Sequence, residues 1–167
     1  HLWDTLVEAG RPFGLTPFGV EAQRVLRLEK QHAIVGQDTD ALSTPLEAGM
    51  GWVVKADKPD FIGRDSSAAV AARGPRQVLT GFEIVEGGVP AEGAAIVRHG
   101  AAIGRVTSSK WSPTLNRPIG LAWLASEEAV EGRSLTIRLG VGREGQTSSA
   151  VVRTRPFYDP DGERLRS

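Results

Sequence analysis

The chain has 167 residues, enough to bury a sizeable core in one domain or two small ones. Twenty basic and twenty acidic side chains cancel, and no block of like charge provides an electrostatic footprint for nucleic acid or an anionic membrane. There is no cysteine, which removes disulfides, thiolate nucleophiles, iron–sulfur ligation and cysteine-based zinc sites together and fits a reducing, cytoplasmic setting.

No run approaches the roughly 20 apolar residues of a membrane span, so a membrane partner is not expected. The chain starts at His1 and runs straight into "LWDTLVEAG", which reads as a piece of a longer polypeptide. Leu2, Trp3, Leu6 and Val7 recur there at helical spacing, and Gly10 can close the helix in a left-handed conformation. Pro12 and Pro17 bracket a turn. A second helix is expected from Phe18 to about His32, with Thr16 as N-cap and Glu21 in its first turn. At about 100° per residue, Phe18, Ala22, Val25, Leu26 and Ala33 share one stripe, and Glu29 falls on it between Val25 and Leu26. Arg24 and Arg27 point the other way.

"MGWVVKAD" at 50–57 reads as a strand, and "RDSSAAVAARG" as a short helix capped by Asp65 or Ser66 and stopped by Gly74. From Pro75 the texture changes to short alternating segments: "RQVLTGFEIVEG", "AAIVRHG", "AAIGRVTSS", "PIGLAWLA", "SLTIRLG" and "SAVVRTRPF". Strands at this spacing indicate a small antiparallel barrel or sandwich, with the boundary near residues 74–76.

Several motifs lose to plainer readings. "GVGREG" at 140–145 satisfies G-x-G-x-x-G, yet an alternating strand rather than a helix follows it, so it reads as a hairpin loop. His1, His32 and His99 lie far apart, "GQDTD" and "DGERLR" lack the full calcium-loop pattern, and no metal site is expected. No serine stands in a nucleophile elbow.

Glu29 demands more. A carboxylate on an apolar stripe must be paired, hydrogen-bonded or protonated, so it either ties down backbone N–H groups or an arginine, or binds a ligand. Arg27 reads from periodicity as a solvated residue, or else as an anion-binding fork. Trp111, in the turn-rich link "SSKWSPTLNRPIG", is either an aromatic plug at the barrel end or a stacking surface for a flat ring. Tyr158 in "RPFYDP" has the same two readings.

Taken in order, "GVEAQRVLRLEKQHAIVGQDTD", "TPLEAGMGWVVKADKPDFIGRD", "GRVTSSKWSPTLNRPIGLAWL" and "RPFYDP" resemble the aminomethyltransferase family, the folate-dependent T-protein of the glycine cleavage system and its relatives. The sub-pattern "VLRLEK…IVGQDTD" is most similar to the C-terminal region of the heterotetrameric sarcosine oxidase α subunit. Ala22-Gln23-Arg24, where the glycine-cleavage branch usually has Ala-Arg-Asp, supports that oxidase-like branch. The resemblance implies an α+β chain: residues 1–74 as the C-terminal portion of a mixed α/β folate-binding domain, and 75–167 as a small antiparallel β-barrel.

It also implies tetrahydrofolate as cofactor, a small amine-derived one-carbon donor, and other oxidase subunits as partners. Arg27, in the family's "LRLE" motif, is expected near folate; Tyr158 matches a family aromatic loosely, and Trp111 is a further folate-binding candidate. The family's important aspartate and its pterin-holding glutamate would both precede His1. The resemblance assigns no catalytic residue to this chain, and little activity is expected from these residues alone. The competing expectation is a structural or subunit-docking module of an amine oxidase complex.

Overall fold

The computed structural model describes residues 1–140 and 145–166. Three helices, α1 (Leu2–Gly10), α2 (Val20–Glu29) and α3 (Arg64–Arg73), precede six strands: β1 (Gln77–Glu86), β2 (Ala95–Arg98), β3 (Ala101–Ser112), β4 (Arg117–Ala125), β5 (Ser134–Arg138) and β6 (Thr147–Arg153). The strands close into an antiparallel barrel in the order β1-β4-β3-β2-β5-β6. Each of the six alternating segments contains one strand, and the fold is α+β with a small barrel, as the resemblance implied; the alternation alone allowed a barrel or a sandwich.

Inside the barrel, Phe82, Ile96, Val106, Leu124, Ile137 and Val152 form the centre of the core. Closing a sheet on itself removes its edges, which lets so short a set of strands stand without a second layer. Gly120 on β4 shows how tight the centre is. A Cβ there would sit 2.4 Å from the Phe82 ring and 2.3 Å from the Ser108 carbonyl oxygen, so only glycine fits.

β4 is buried along nearly its whole length, on both faces. Its inward residues Ala122 and Leu124 join the barrel core. Outward, Ile119 and Leu121 pack with Leu28 of α2 in a second cluster that Leu79, Leu115 and Phe157 flank. "PIGLAWLA" is therefore apolar throughout because helix and loop cover the outside of the barrel at this strand.

The helical region departs from expectation in four places. Gly10 is right-handed: α1 runs on into a 3-10 turn at Arg11–Phe13, and Gly14, at φ 71°, ends it. α2 spans Val20–Glu29 with Gly19 at its N-cap, while Thr16 bonds back to the Gly14 carbonyl instead. The segment 50–57 is a 3-10 turn at Gly51–Val53 followed by further turns, because no neighbouring strand pairs with it. α3 begins two or three residues early, with left-handed Gly63 at its N-cap rather than Asp65 or Ser66, though Gly74 does stop it.

β5 and β6 pair antiparallel on either side of "GVGREG", as a hairpin reading requires; residues 141–144 themselves lie outside the described residues.

Candidate functional site

The buried face of α2 is not the predicted stripe. Phe18 and Leu26 are exposed, while Leu28 and Glu29 are buried and Arg27 turns inward. The 100° rule placed Arg27 in solvent because it counted apolar residues alone; the face that meets the barrel carries charge.

Arg27 keeps only 9% of its side chain exposed and pairs with Asp38 at 2.5 Å. Its second terminal nitrogen donates to Ser108 Oγ at 2.6 Å, and the first also reaches the His32 carbonyl at 3.3 Å. Burying two charges costs several kcal/mol each unless geometry and further hydrogen bonds compensate. Those bonds converge on Asp38. One carboxylate oxygen takes Arg27 and the Ile34 amide (2.8 Å); the other takes the hydroxyls of Thr107 and Ser108, each at 2.5 Å. The Asp38 carbonyl accepts the Trp123 indole N–H at 2.7 Å.

Local sequence explains this convergence. Gly36, at φ 88°, turns the chain so that its N–H meets the Thr39 carbonyl and Asp38 N–H the Ile34 carbonyl, which aims the Asp38 side chain inward. On the barrel side, the β3–β4 register shifts between Val106 and Ser108. Neighbours on a regular strand face opposite ways; a bulge lets Thr107 and Ser108 both reach one carboxylate. Ser108 is then saturated: it donates to Asp38 and accepts from Arg27 and from Gln37 Nε2 at 3.1 Å. In the sequence Asp38 stands only within "GQDTD", a segment without the full calcium-loop pattern. The signal available was an aspartate behind a turn glycine, which is too common to single out a buried hub.

Beyond the bulge, Ser108, Lys110 and Ser112 of β3 all face α2. Lys110 pairs with Glu21 at 2.9 Å, and the Ser112 hydroxyl donates to Glu29 at 2.6 Å. Glu29 is buried as the sequence demanded, and among the described residues its side chain accepts from this hydroxyl rather than from an arginine or backbone N–H groups. Its carbonyl accepts the Tyr158 amide at 3.0 Å, which brings the C-terminal tail to the end of α2. Gln31, left-handed at φ 53°, adds a second staple: its amide donates to the carbonyls of Arg153 and Arg155, with Gly81 leaving room beneath it. Lys30 donates to the Asp159 carbonyl at 2.6 Å.

Of the sequence-derived candidates, Arg27 and Tyr158 therefore lie at one α2–barrel seam, with the Tyr158 ring half-buried and the Arg164 guanidinium 5.4 Å from its centre. Trp111 does not join them. It lies within β3 rather than in a turn, half exposed, and strand alternation sends it to the face opposite Ser112 and α2. Arg27 Nε is buried with no hydrogen-bond partner, a donor left over by the clamp.

Beside the clamp opens a polar cleft of about 520 Å³, lined in part by Gln37, Asp40, Glu92, Arg105 and Thr107. The Ser43 hydroxyl, then the Leu42 amide, hold the Asp40 carboxyl below its ordinary range. A smaller, apolar cavity of about 280 Å³ lies between residues 44–56 and α3. Among the described residues no cluster of three or more histidine, aspartate or glutamate side chains could hold a metal ion, and no helix is long and apolar enough to cross a membrane.

Fold and clamp together define a class: a closed six-stranded barrel fastened to a preceding helix and turn through a buried arginine–aspartate pair. Two family models match in tandem, the GCVT N-terminal domain over residues 1–58 and the glycine cleavage T-protein C-terminal barrel domain over 77–159. The chain belongs to the aminomethyltransferase family.

Its relatives agree. It is 42% identical over 137 residues to an aminomethyltransferase of Halothermothrix orenii, covering 82% of this chain and 38% of that protein. It is 40% identical to one from Synechococcus sp. strain CC9311, over 95% of this chain and 41% of the relative. The crystal structure of the glycine cleavage system aminomethyltransferase T from Bartonella henselae superposes with a TM-score of 0.83 over 95% of this chain and 43% of that one; at 24% identity this shows the fold. The chain thus spans about two-fifths of the length of the curated relatives it matches.

Proposed function

We propose that these residues form the barrel and one wall of the folate site of a tetrahydrofolate-dependent aminomethyltransferase-like protein, which transfers a one-carbon unit from an oxidised amine to tetrahydrofolate. The observation that carries this reading is the tandem, colinear match of both family domains, with the helix–turn–barrel clamp in place between them. The proposed division is residues 1–74 as the end of the folate-binding domain and 75–167 as the barrel.

Arg27 and Tyr158 are the residues of this chain that border the folate. Arg27 Nε supports that role, since a buried N–H without a partner gains from a ligand acceptor. The terminal nitrogens of Arg27 are already committed to Asp38 and Ser108, so its larger part is to fix the turn at 34–39 against the barrel and hold the wall in place. Trp111, on the opposite face of β3, takes no part in this arrangement. One-carbon transfer to a bound folate depends on positioning and exclusion of water; a rigid wall supplies both.

The finer reading, an oxidase-like branch with sarcosine or a similar amine as donor, rests on Gln23 and Arg24 standing where the glycine-cleavage pattern has arginine and aspartate. One observation favours a second function. The guanidinium is engaged mainly within the protein, as in a docking module that holds an oxidase together and no longer binds folate.

Titration of tetrahydrofolate separates the two. The protein to use is a relative-length chimera, in which residues 1–167 replace the matched stretch of the Bacillus subtilis aminomethyltransferase, 35% identical over 95% of this chain. Saturable heat that falls about tenfold in affinity for Arg27→Ala supports the folate enzyme, a loss of roughly 1.4 kcal/mol. Affinity unchanged by that substitution would leave Arg27 a clamp alone.

A further inference from the structure

The polar cleft beside the clamp holds three charges that the fold positions and leaves incompletely paired. Val106 points into the barrel core, so its neighbours Arg105 and Thr107 share the outer face of β3. Thr107 reaches Asp38 there, which sets Arg105 beside the turn at 36–40. No hydrogen bond or ion pair among the described residues engages the Arg105 guanidinium. Two carboxylates line the same cleft, each anchored through one oxygen. Asp40 Oδ1 accepts the Leu42 and Ser43 amides and the Ser43 hydroxyl, at 2.9, 3.0 and 2.8 Å. Glu92 Oε1 accepts the Gln37 side-chain amide at 2.8 Å, and the same nitrogen reaches Ser108 Oγ in the clamp at 3.1 Å. The Gly93 N–H donates to the Val106 carbonyl at 2.9 Å, so the loop that carries Glu92 is fastened to β3. Asp40 Oδ2 and Glu92 Oε2 accept nothing among the described residues.

These charges select the ligand. A simple anion would pair with the guanidinium and be repelled by the two carboxylates, while a metal ion would pair with the carboxylates and be repelled by the guanidinium. A molecule that carries both an ammonium and a carboxylate answers both sides. An ammonium has three N–H donors, enough for both free oxygens at once, and a guanidinium takes a carboxylate through two parallel bonds. Gly36 and Gly93, at φ 88° and 79°, line the space without side chains, so the cleft of about 520 Å³ stays open. Groups anchored before a ligand arrives lose little freedom when it binds. We propose that this cleft is a binding site for a small zwitterion of the amino-acid class, with its carboxylate on Arg105 and its ammonium between Asp40 Oδ2 and Glu92 Oε2. Such a site goes beyond the folate reading and stands without it.

The test is a titration of glycine, followed by NMR through the side-chain N–H resonances of Arg105 and Gln37, in the 167-residue chain and then in the relative-length chimera. Exposed charges bind weakly, so saturation with a Kd of about 1 mM is expected, rising with salt. Acetate and methylammonium each carry half of the charge pattern and should bind about tenfold more weakly or worse. Glycine betaine, whose nitrogen has no N–H to donate, should behave as they do. Arg105→Gln should weaken glycine about tenfold or more. Asp40→Asn with Glu92→Gln keeps the anchoring oxygens; it should weaken glycine about tenfold yet strengthen acetate, an opposite movement that a loss of structure would not produce. No saturable response to glycine in the chimera would overturn the proposal, even if the isolated chain responds, because the rest of the domain would then cover the cleft. So would a response that acetate matches, or one that Arg105→Gln leaves intact. Saturable glycine binding without saturable tetrahydrofolate heat removes the folate reading and leaves the cleft standing; folate heat without a glycine response does the reverse.

Discussion

Asp38 takes four hydrogen bonds on two oxygens with its side chain fully buried, and every donor comes from a different residue. Such a pair contributes little net stability when intact, but removing one partner strands the other charge in a low dielectric. Asp38→Ala should cost about 3–5 kcal/mol; equilibrium denaturation checks it, and a loss near zero would show that Arg27 finds water when its partner goes. Of these two residues the sequence pattern revealed little, since helical periodicity sees only apolar positions and an aspartate in a turn has an ordinary explanation. Glu29 drew attention for the opposite reason: among apolar neighbours a carboxylate stands out, and it is buried, though beside Leu28 and not with the exposed Leu26 of the counted stripe. Arg27 drew attention through the family motif alone, and its geometry makes it first a structural clamp.

The strands were the most legible elements, because period-two alternation between glycines has few other meanings. "GWVVKAD" has the composition of a strand yet forms turns, since a strand needs a partner edge and none is offered there. The bulge at 106–108 could not be read at all; it is a matter of register, and it decides whether Thr107 can reach Asp38. The end of β6 offers a test of an element's anchorage. Glu131 accepts the Thr154 amide at 2.6 Å, and that bond, with Arg153 beside it, holds the Glu131 carboxyl below its ordinary range. A depressed carboxyl stabilises the fold fully above the unfolded value of about 4.3, and the contribution is lost as pH falls through the lower folded value. The stability difference between the protein and Glu131→Gln should therefore be flat above about pH 5 and shrink on acidification below about pH 4. A difference that grows toward low pH would contradict it.

At the scale of the whole molecule, the chain combines a self-contained barrel with a helical region that leaves Leu2, Trp3, Leu6 and Phe18 exposed. Alternation indicated a barrel or a sandwich, and the family resemblance implied the barrel. Helical spacing placed Leu2, Trp3, Leu6 and Val7 together, without indicating what would cover them. The two halves meet at one seam, where Arg27, Asp38, Glu29 and Gln31 each reach the barrel or its tail. A wall clamped at so many points is suited to holding a ligand still rather than to moving with it.

The most direct measurement is calorimetric titration of tetrahydrofolate into the relative-length chimera, run once the chimera is shown to be folded. Saturable binding, weakened about tenfold by Arg27→Ala, is what a folate wall built on this clamp predicts. A folded chimera that gives no saturable heat would contradict it.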